Sequence, residues 1–535
     1  MTTSRTWNVL SALLLLALLG LVLFTFVDYG ITFDEGVQNR YGRRLVRWYA
    51  TAGENASATT QNDLYWYGGF FELVVQGAAR LSGLGVYENR HLLNALFGLV
   101  GFVAVWGLGS HLGGAAAGFA ALLVLTLTPG YYGHIFANPK DLPFASLYAL
   151  AAWLALRASD RVPTPGWREA LAVGTTVGLA AGTRVAGLSL LPFIGALWLA
   201  TLWLRARAAE PMRWWPRWSE IGRLALAWAA TVVVSWTVML AFWPWALLDP
   251  IRNPLRALGK FSRFWNPDLL WEGEMIAAAD VPRTYIVKSL AYGLPELYFL
   301  AFLLGAVMLW ALLREAWREP EAGRRLVFVF VQGLWLAALP AVPIAWIMVN
   351  HTPLYNGYRH VLFVIPFLAV LAGLGIAGFF QGSAPRPLRS VIAIVLGALG
   401  LVTLVDAIQL HPYQYVYFNR LLAGGLPGAV DRFDADYWGA SYKEGAEWVA
   451  EHYPTDDLTD RVKVSAFAVH VPLKYYLAQS EVGGRFRLVG LGQKPHLIFA
   501  PTAYRFHEHV RGRVVHVVER QGAPLLHIVE VRPPR

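Results

Sequence analysis

The sequence predicts a polytopic α-helical membrane protein with a small extracytoplasmic α/β domain at its C-terminal end. Of the 535 residues, 56% are hydrophobic and only 15% are charged, whereas roughly 25% are charged in a soluble protein. Apolar stretches near the ~20-residue length that spans a bilayer recur through residues 1–407. From residue 408 the pattern changes to short strand-like runs, turns and amphipathic pieces.

The apolar stretches predict about eleven transmembrane helices. The first could be taken for a signal peptide, but it lacks a small-residue cleavage site and Asp28 follows it directly. We therefore predict that this helix is retained. The predicted spans are residues 8–27, 91–110, 114–133, 142–157, 169–184, 186–204, 222–243, 290–312, 325–349, 359–380 and 389–407.

The arginines predict the orientation of these helices. With the N-terminus inside, four arginine-rich connections fall on the inner face, as the positive-inside rule requires. We therefore expect a multi-pass protein of the plasma (inner) membrane with a cytoplasmic N-terminus and an extracytoplasmic C-terminus. The formal net charge of +10 is explained by these loops and does not indicate nucleic acid as a partner. The four connections carry Arg157, Arg161 and Arg168; Arg205, Arg207, Arg213, Arg217 and Arg223; Arg314, Arg318, Arg324 and Arg325; and Arg386 and Arg389.

This topology divides the chain into two predicted domains. Residues 1–407 form the membrane domain, and residues 408–535 form the extracytoplasmic domain, with a helix over Tyr442–His452 followed by strand-like runs. The predicted outer loops are 28–90, 130–141, 244–289 and 350–358, and the strand-like runs are 462–467, 496–499, 514–518 and 525–529.

The chain has no cysteine, which excludes disulfides, thiolate metal ligands and a thiol nucleophile.

The most informative polar feature is the adjacent pair Asp34 and Glu35, just beyond the first helix. A charged pair is too costly to face lipid, so we expect it to line a water-filled cleft at the membrane surface. Other polar candidates gather at the same predicted face: Lys140, Asp141, Arg184, Arg359 and His360. The 244–289 loop adds candidate substrate contacts: Trp265, Trp271, Glu272 and Tyr285.

Carboxylates and cations at one membrane face suit transfer of a group from a lipid phosphate. A carboxylate can take the proton from an attacking hydroxyl, and Arg or Lys can hold the charge that develops on a departing phosphate. Aromatic loop residues could contact a sugar or a lipid tail. A metal site built from His134, His351 or His360 near Asp34 stays possible, but no spacing indicates it, and no cofactor is predicted.

Each candidate also has a structural interpretation. The acidic pair could cap a helix, because acids favour a helix N-terminus, and Lys140 could form an ion pair with Asp141. Arg359 could anchor the end of its helix at headgroup depth. The loop tryptophans could belong to an interfacial aromatic belt.

The order and common sidedness of these motifs resemble the GT-C membrane glycosyltransferases. In particular, the chain resembles bacterial relatives of the dolichyl-phosphate-mannose protein mannosyltransferases (glycosyltransferase family 39). It covers most of residues 1–407 and rests on the acidic pair after the first helix. Further matching segments are 138–141, 182–184, 280–285 and 356–360, while 411–415 and 436–443 resemble a bacterial subgroup.

The resemblance implies a polyprenyl-phosphate-linked sugar as donor and an inverting, single-displacement transfer at the outer face. The acceptor would be a glycan, a lipid or a protein. Asp34 would be the base that activates the acceptor hydroxyl, with Glu35 supporting it. The phosphate would be held by Lys140, Arg184 or Arg359.

One departure limits the resemblance: where the family usually carries aromatic residues after the loop proline, this chain has Arg283 and Thr284. Two other classes also remain open, a flippase that binds a lipid-linked glycan without chemistry and a membrane-anchored interaction protein. Transporters generally keep ionisable groups near the midplane, often with repeats, whereas here the charges gather at one surface. A glycan polymerase or ligase would share the same site, and the sequence does not separate it from a single-sugar transferase.

Overall fold

A computed structural model describes residues 3–60, 63–209, 211–260, 266–318, 320–453, 461–468 and 470–531. Among these residues, nine helices are long and apolar enough to cross a membrane, which confirms the predicted polytopic helical architecture. They are Ser4–Thr25, Val86–Thr126, Asp141–Ser159, Val185–Ala208, Trp218–Ala241, Glu296–Glu315, Val327–Asn350, Arg359–Gln381 and Arg386–Gln409.

Two features account for the difference between nine spans and the predicted eleven. The 41-residue helix Val86–Thr126 is interrupted at Gly114, where φ is 78° and ψ is 178°. This break lies where the prediction separates two spans. The predicted span 169–184 corresponds to the helix Trp167–Ala181, whose 15 residues are fewer than the ~20 that a bilayer requires. Each of the eleven predicted spans therefore overlaps a helix of the structure.

Small residues let these helices pack closely, as is usual in membrane bundles. A Cβ at Gly178 would lie 2.6 Å from Cβ of Val238, so the short helix Trp167–Ala181 approaches its neighbour Trp218–Ala241 at this point. A Cβ at Gly373 would lie 2.4 Å from the backbone nitrogen of Ala121. A larger side chain at either glycine would force the helices apart.

Shorter elements connect the long helices and carry most of the polar candidates. One of them, Phe33–Ala50, begins with the acidic pair and is called the acid helix below. The strands Asp268–Trp271 and Glu274–Ala277 form an antiparallel hairpin in the 244–289 loop, which the sequence analysis did not predict. The other short helices are Phe70–Ala78, Pro129–Ala137, Trp167–Ala181, Pro244–Leu248, Arg252–Lys260, Tyr285–Gly293, Arg420–Ala423, Gly425–Ala429, Tyr442–His452 and Val471–Gln479.

The described part of the C-terminal region contains a five-stranded mixed sheet, which confirms the predicted α/β domain. Its first three strands are parallel and its last two are antiparallel. The last two are joined by Gln521 and Gly522, whose positive φ values of 53° and 77° suit a tight hairpin turn. In spatial order the strands are Phe486–Leu488, Val462–Ala466, Leu497–Pro501, Ala523–Glu530 and Arg513–Arg520.

Candidate active site

The start of the acid helix gives its two acids different surroundings. Thr32 is the N-cap, and its backbone N–H donates to Oε2 of Glu35 at 2.7 Å in a capping box. This pairing stabilises the first turn, where unpaired N–H groups favour an acid. Glu35 is fully buried, whereas 47% of the Asp34 side chain is exposed. Only Asp34 is therefore open to a molecule approaching from solvent.

Glu35 is held by a buried polar cluster. Nε of Arg90 lies 3.7 Å from its carboxylate, and Nε2 of His91 lies 3.2 Å from it. Arg90 is also held by Glu72, to which its two terminal nitrogens donate at 2.7 and 2.9 Å. Glu35 therefore occupies the helix-capping position that the structural interpretation predicts. Its contacts with Arg90 and His91 connect the acid helix to the helix Val86–Thr126.

Arg359 approaches Asp34 from a different part of the chain. Its Nη1 lies 3.6 Å from Oδ2 of Asp34, and only 9% of its side chain is exposed. The guanidinium lies over two aromatic rings, 4.8 Å from the ring centre of Tyr355 and 5.4 Å from that of Trp438. Its Nε is buried and donates no hydrogen bond to any residue in the described ranges. A buried cation therefore lies beside the half-exposed acid.

A second charged group forms where the helix Asp141–Ser159 begins. Asn138 shapes this start, because its Oδ1 accepts from the backbone N–H of Asp141 at 3.0 Å and its Nδ2 donates to the Asp141 carboxylate at 3.1 Å. Nη1 of Arg184 donates to the other oxygen of Asp141. Asp141 is therefore paired with Arg184, whereas Nζ of Lys140 lies 4.2 Å from the ring centre of Tyr67.

Tyr67 joins these charged residues through a close backbone approach. A Cβ at Gly68 would lie 1.9 Å from the carbonyl oxygen of Gly182, and the N–H of Phe70 donates to that same oxygen at 3.0 Å. This contact places Tyr67 beside Arg184, whose guanidinium is 5.9 Å from the tyrosine ring centre. Burial raises the pKa of Tyr67 to about 12, and the positive charge of Arg184 partly opposes that shift.

A large cavity of about 800 Å³ opens beside these residues. Tyr67, Arg184, Tyr355 and His360 contribute to its polar lining, and most of the other lining side chains are apolar. The ring of His360 packs edge-on against Tyr355 at 4.6 Å. The apolar lining residues include Phe144, Val185, Pro192, Phe193, Ala196, Leu258, Val342, Trp346, Ile347 and Phe363.

The predicted residues of the 244–289 loop lie elsewhere. The rings of Trp271 and Tyr285 contact each other in a tilted arrangement, with their centres 4.4 Å apart, and line a smaller cavity of about 40 Å³, which Arg359 also lines. Glu272 accepts a hydrogen bond from Nζ of Lys288 at 2.8 Å on the surface. Trp265 lies outside the described residues.

The sequence analysis missed three residues of this group, Tyr67, Tyr355 and Trp438. Each had a local signal. Tyr67 precedes Gly68 and Gly69, a pair that permits close backbone approach. Tyr355 and Trp438 lie in segments that the analysis singled out for other residues, and only the folded chain brings both rings against Arg359.

The histidines named as possible metal ligands occupy separate positions. The ring of His134 packs edge-on against Trp438 at 5.3 Å, and Nε2 of His351 lies 2.6 Å from the carbonyl oxygen of Val281. Across the described ranges, no three His, Asp or Glu side chains form a group that could hold a metal ion. Asp34, Arg359 and the cavity-lining residue Tyr355 thus lie close together, and the described residues show no cluster of metal ligands.

No protein-family model and no curated protein matches this chain. The crystal structure of ArnT from Cupriavidus metallidurans in the apo state is similar, with a TM-score of 0.51 and 16% sequence identity over 97% of this chain and 98% of that chain. The crystal structure of the Archaeoglobus fulgidus oligosaccharyltransferase tethered with an acceptor peptide has a TM-score of 0.50 and 13% identity. That alignment covers 83% of this chain and 57% of the archaeal enzyme. Both structures have the GT-C fold, and this chain has the GT-C fold that its sequence motifs predict.

Proposed function

We propose that this protein is an inverting glycosyltransferase that moves a sugar from a polyprenyl-phosphate donor to an acceptor hydroxyl at the outer face of the membrane. A shared fold does not establish a function, so the proposal rests on the site. The observation that carries it is the large cavity, whose mostly apolar lining includes Arg184 and Tyr355, and Tyr355 contacts Arg359 beside Asp34.

The cavity fits a lipid that ends in a phosphate. Its volume of about 800 Å³ lies within the range of ligand sites, ~300–1,000 Å³. Apolar side chains such as Phe193 and Trp346 suit an isoprenoid chain, and Arg184 marks the end where a phosphate would lie. Lys140, Arg184 and Arg359 outnumber the acids Asp34 and Asp141, so the group retains positive charge for an anion.

Asp34 is the acid best placed to act as the base. In the proposed step its carboxylate accepts the proton of the acceptor hydroxyl, and the acceptor oxygen forms a bond to the anomeric carbon. The bond from that carbon to the phosphate oxygen breaks in the same step, which inverts the anomeric configuration. The polyprenyl phosphate leaves with the electron pair, and Arg359 and Lys140 stabilise its charge.

The remaining acids support this step from a distance. Glu35 is buried and bound to Thr32, Arg90 and His91, so we assign it the role of fixing the start of the acid helix. Asp141 is bound to Arg184, and we assign it the role of orienting that guanidinium. His360, at the cavity wall, would contact the phosphate or the first isoprene unit.

The test measures release of polyprenyl phosphate by purified protein from radiolabelled polyprenyl-phosphate sugars mixed with an envelope extract. We expect release that requires the extract, and we expect Asp34→Asn to lower it about a hundredfold or more. Glu54→Gln, which changes an exposed acid of the same predicted outer segment, is the matched control and should release product normally.

The outcome separates the proposed enzyme from a flippase. Normal release by the Asp34→Asn protein would exclude Asp34 as the base. Tight donor binding without release from any extract would favour transport of the lipid-linked glycan. If several extracts support release, the labelled product is isolated from each. The size of that product distinguishes a single-sugar transferase from a glycan polymerase or ligase.

A further inference from the structure

We infer that Trp438 is a positioning residue for Arg359 and that the C-terminal region is thereby part of the phosphate site. This inference rests on the proposed function, which assigns Arg359 to the departing phosphate. It assigns to the region beyond residue 407 a role that the sequence analysis left open. Four structural observations support it.

The first observation is how Arg359 is held. A hydrogen-bonded ion pair of an arginine and a carboxylate measures ~2.7–2.9 Å, but Nη1 of Arg359 lies 3.6 Å from Asp34. The distances from Arg359 to the aromatic rings, in contrast, lie within the usual range, since a cation within ~6 Å of a ring centre is attracted to the ring face. Tyr355 and Trp438 both meet this distance, at 4.8 and 5.4 Å.

The second observation is what aromatic contacts leave available. A carboxylate that held Arg359 by hydrogen bonds would occupy its N–H donors and neutralise its charge. Ring faces attract the cation and occupy none of these donors. The buried Nε of Arg359 accordingly donates no hydrogen bond within the described residues. The rings therefore fix the guanidinium while its charge and donors remain available to a phosphate.

The third observation is that internal hydrogen bonds close the loop that carries Trp438. Asp436 is fully buried and closes the loop on itself, because its carboxylate accepts from the backbone N–H groups of Ala440 and Ser441, both at 3.0 Å. The hydroxyl of Tyr415 donates to the same carboxylate. Side-chain closure of a turn by Asp is a common way to fix a loop, and here it sets the position of Trp438.

The fourth observation is that this loop also contacts the acid helix. The N–H of Phe33 donates to the carbonyl oxygen of Trp438 at 3.0 Å. A Cβ at Gly30 would lie 2.0 Å from the carbonyl oxygen of Ala440, so the two backbones are in direct contact. One loop of the C-terminal region therefore contacts Arg359 through a ring and the start of the acid helix, next to Asp34, through its backbone.

The test compares Trp438→Leu with Trp438→Phe, using undecaprenyl phosphate as the probe in a direct binding measurement. We expect Trp438→Leu to weaken binding about five- to thirtyfold, the effect of losing a desolvated cation–π contact. Trp438→Phe keeps a ring and should restore most of the affinity. Trp448→Leu is the matched control, because Trp448 lies in the same region but stacks on His452 and His516. The affinity of the Trp448→Leu protein for undecaprenyl phosphate should be unchanged.

A double-mutant cycle then asks whether Trp438 acts through Arg359. If it does, Trp438→Leu has no further effect on affinity once Arg359→Gln is present, because coupled residues are not additive. Equal effects of Trp438→Leu with and without Arg359 would overturn the inference. So would wild-type affinity in the Trp438→Leu protein.

A measurement without ligand keeps the test independent of the proposed function. Hydrogen exchange of the backbone over residues 355–361 should speed up in Trp438→Leu and stay unchanged in Trp448→Leu. Unchanged exchange in Trp438→Leu would overturn the inference. If the wild-type protein neither bound nor released a polyprenyl phosphate, the proposed function would fail, and hydrogen exchange alone would decide whether Trp438 positions Arg359.

Discussion

Nη1 of Arg359 lies 3.6 Å from Oδ2 of Asp34, and the two side chains differ sharply in exposure, at 9% and 47%. The cation is therefore buried beside an acid that solvent reaches. In a transfer reaction the acid would face the incoming hydroxyl and the cation would face the departing phosphate. Because the two charges are opposite, removing the acid leaves the positive charge of Arg359 less neutralised. Donor binding and turnover should therefore respond differently to this substitution.

Asp34→Asn is expected to bind undecaprenyl phosphate more tightly while losing turnover. The substitution removes a negative charge beside the phosphate site, which we expect to raise affinity about two- to tenfold, and it removes the base. Direct binding and product release, measured on the same preparation, check both effects. Weaker binding by this variant would mean that Asp34 contacts the donor in some other way.

Glu35→Ala is expected to affect stability first. It deletes the capping interaction with Thr32, removes the acidic partner of His91 and leaves Arg90 with Glu72 as its acidic partner. We expect a loss of on the order of 2–4 kcal/mol, seen as a lower midpoint of thermal unfolding. Asp34→Asn is the neighbouring control and should lower the midpoint of thermal unfolding much less than Glu35→Ala, because Asp34 is half exposed. Equal stability of the two variants would contradict the division of roles between these acids.

Much of the fold could be predicted because hydropathy records it directly. Apolar length gave all eleven helical segments, including the division of one long helix at Gly114. Short strand-like runs predicted four of the five strands of the C-terminal sheet, and the three-residue strand Phe486–Leu488 was too short to show a pattern. The hairpin at residues 268–277 was missed because each of its strands has only four residues, too few to show a pattern.

The site was less predictable, because side-chain partners depend on long-range packing. Adjacent acids look equivalent in the sequence, yet the capping box buries Glu35 and leaves Asp34 half exposed. Lys140 precedes Asp141 directly, but the structure pairs Asp141 with Arg184, 43 positions later. The ring of Trp438 could not be assigned to Arg359 from the sequence, since only folding of the C-terminal region brings them together.

Gly68→Ala is expected to disturb the site from a distance. Its new Cβ would lie 1.9 Å from the carbonyl oxygen of Gly182, so the backbone that carries Tyr67 must move. We expect a loss of about 2 kcal/mol or more in stability and weaker donor binding. Gly77→Ala is the control, since a Cβ there meets nothing within 4 Å and a helical Gly→Ala change stabilises by about 0.5–1 kcal/mol. Similar behaviour of the two variants would exclude a special role for the Gly68 contact.

Stability is expected to fall as pH rises through neutrality, because of Asp434. This carboxyl group accepts from the N–H groups of Leu270 and Tyr504, at 3.0 and 2.8 Å, and burial raises its pKa to about 7. Its pKa is about 3.9 when unfolded, so the folded state binds the proton more tightly. The associated stability is fully present below about pH 4 and is lost through about pH 7.

Between about pH 5 and about pH 8 this group would cost about 3 kcal/mol of stability. Thermal unfolding of the wild type and of Asp434→Asn at both pH values checks the prediction. At the lower pH the variant should be less stable than the wild type, because its amide NH2 group would face the N–H of Leu270 or Tyr504. The stability of the variant should also depend less on pH. An equal slope in both proteins would assign the pH dependence to other groups.

Ala196→Trp is expected to discriminate between donors by chain length. Ala196 lines the large cavity, so an indole there would fill space that we assign to the isoprenoid chain. For an undecaprenyl-linked donor we expect KM to rise about tenfold or more, with little change in kcat because Asp34 and Arg359 are unaltered. A donor with a short prenyl chain should be affected much less, since it buries less apolar surface. Leu199→Trp on the same helix is the control, because Leu199 is 55% exposed. An equal rise in KM for both donors would mean that this cavity holds the head group of the donor, and the lipid chain would have to bind elsewhere.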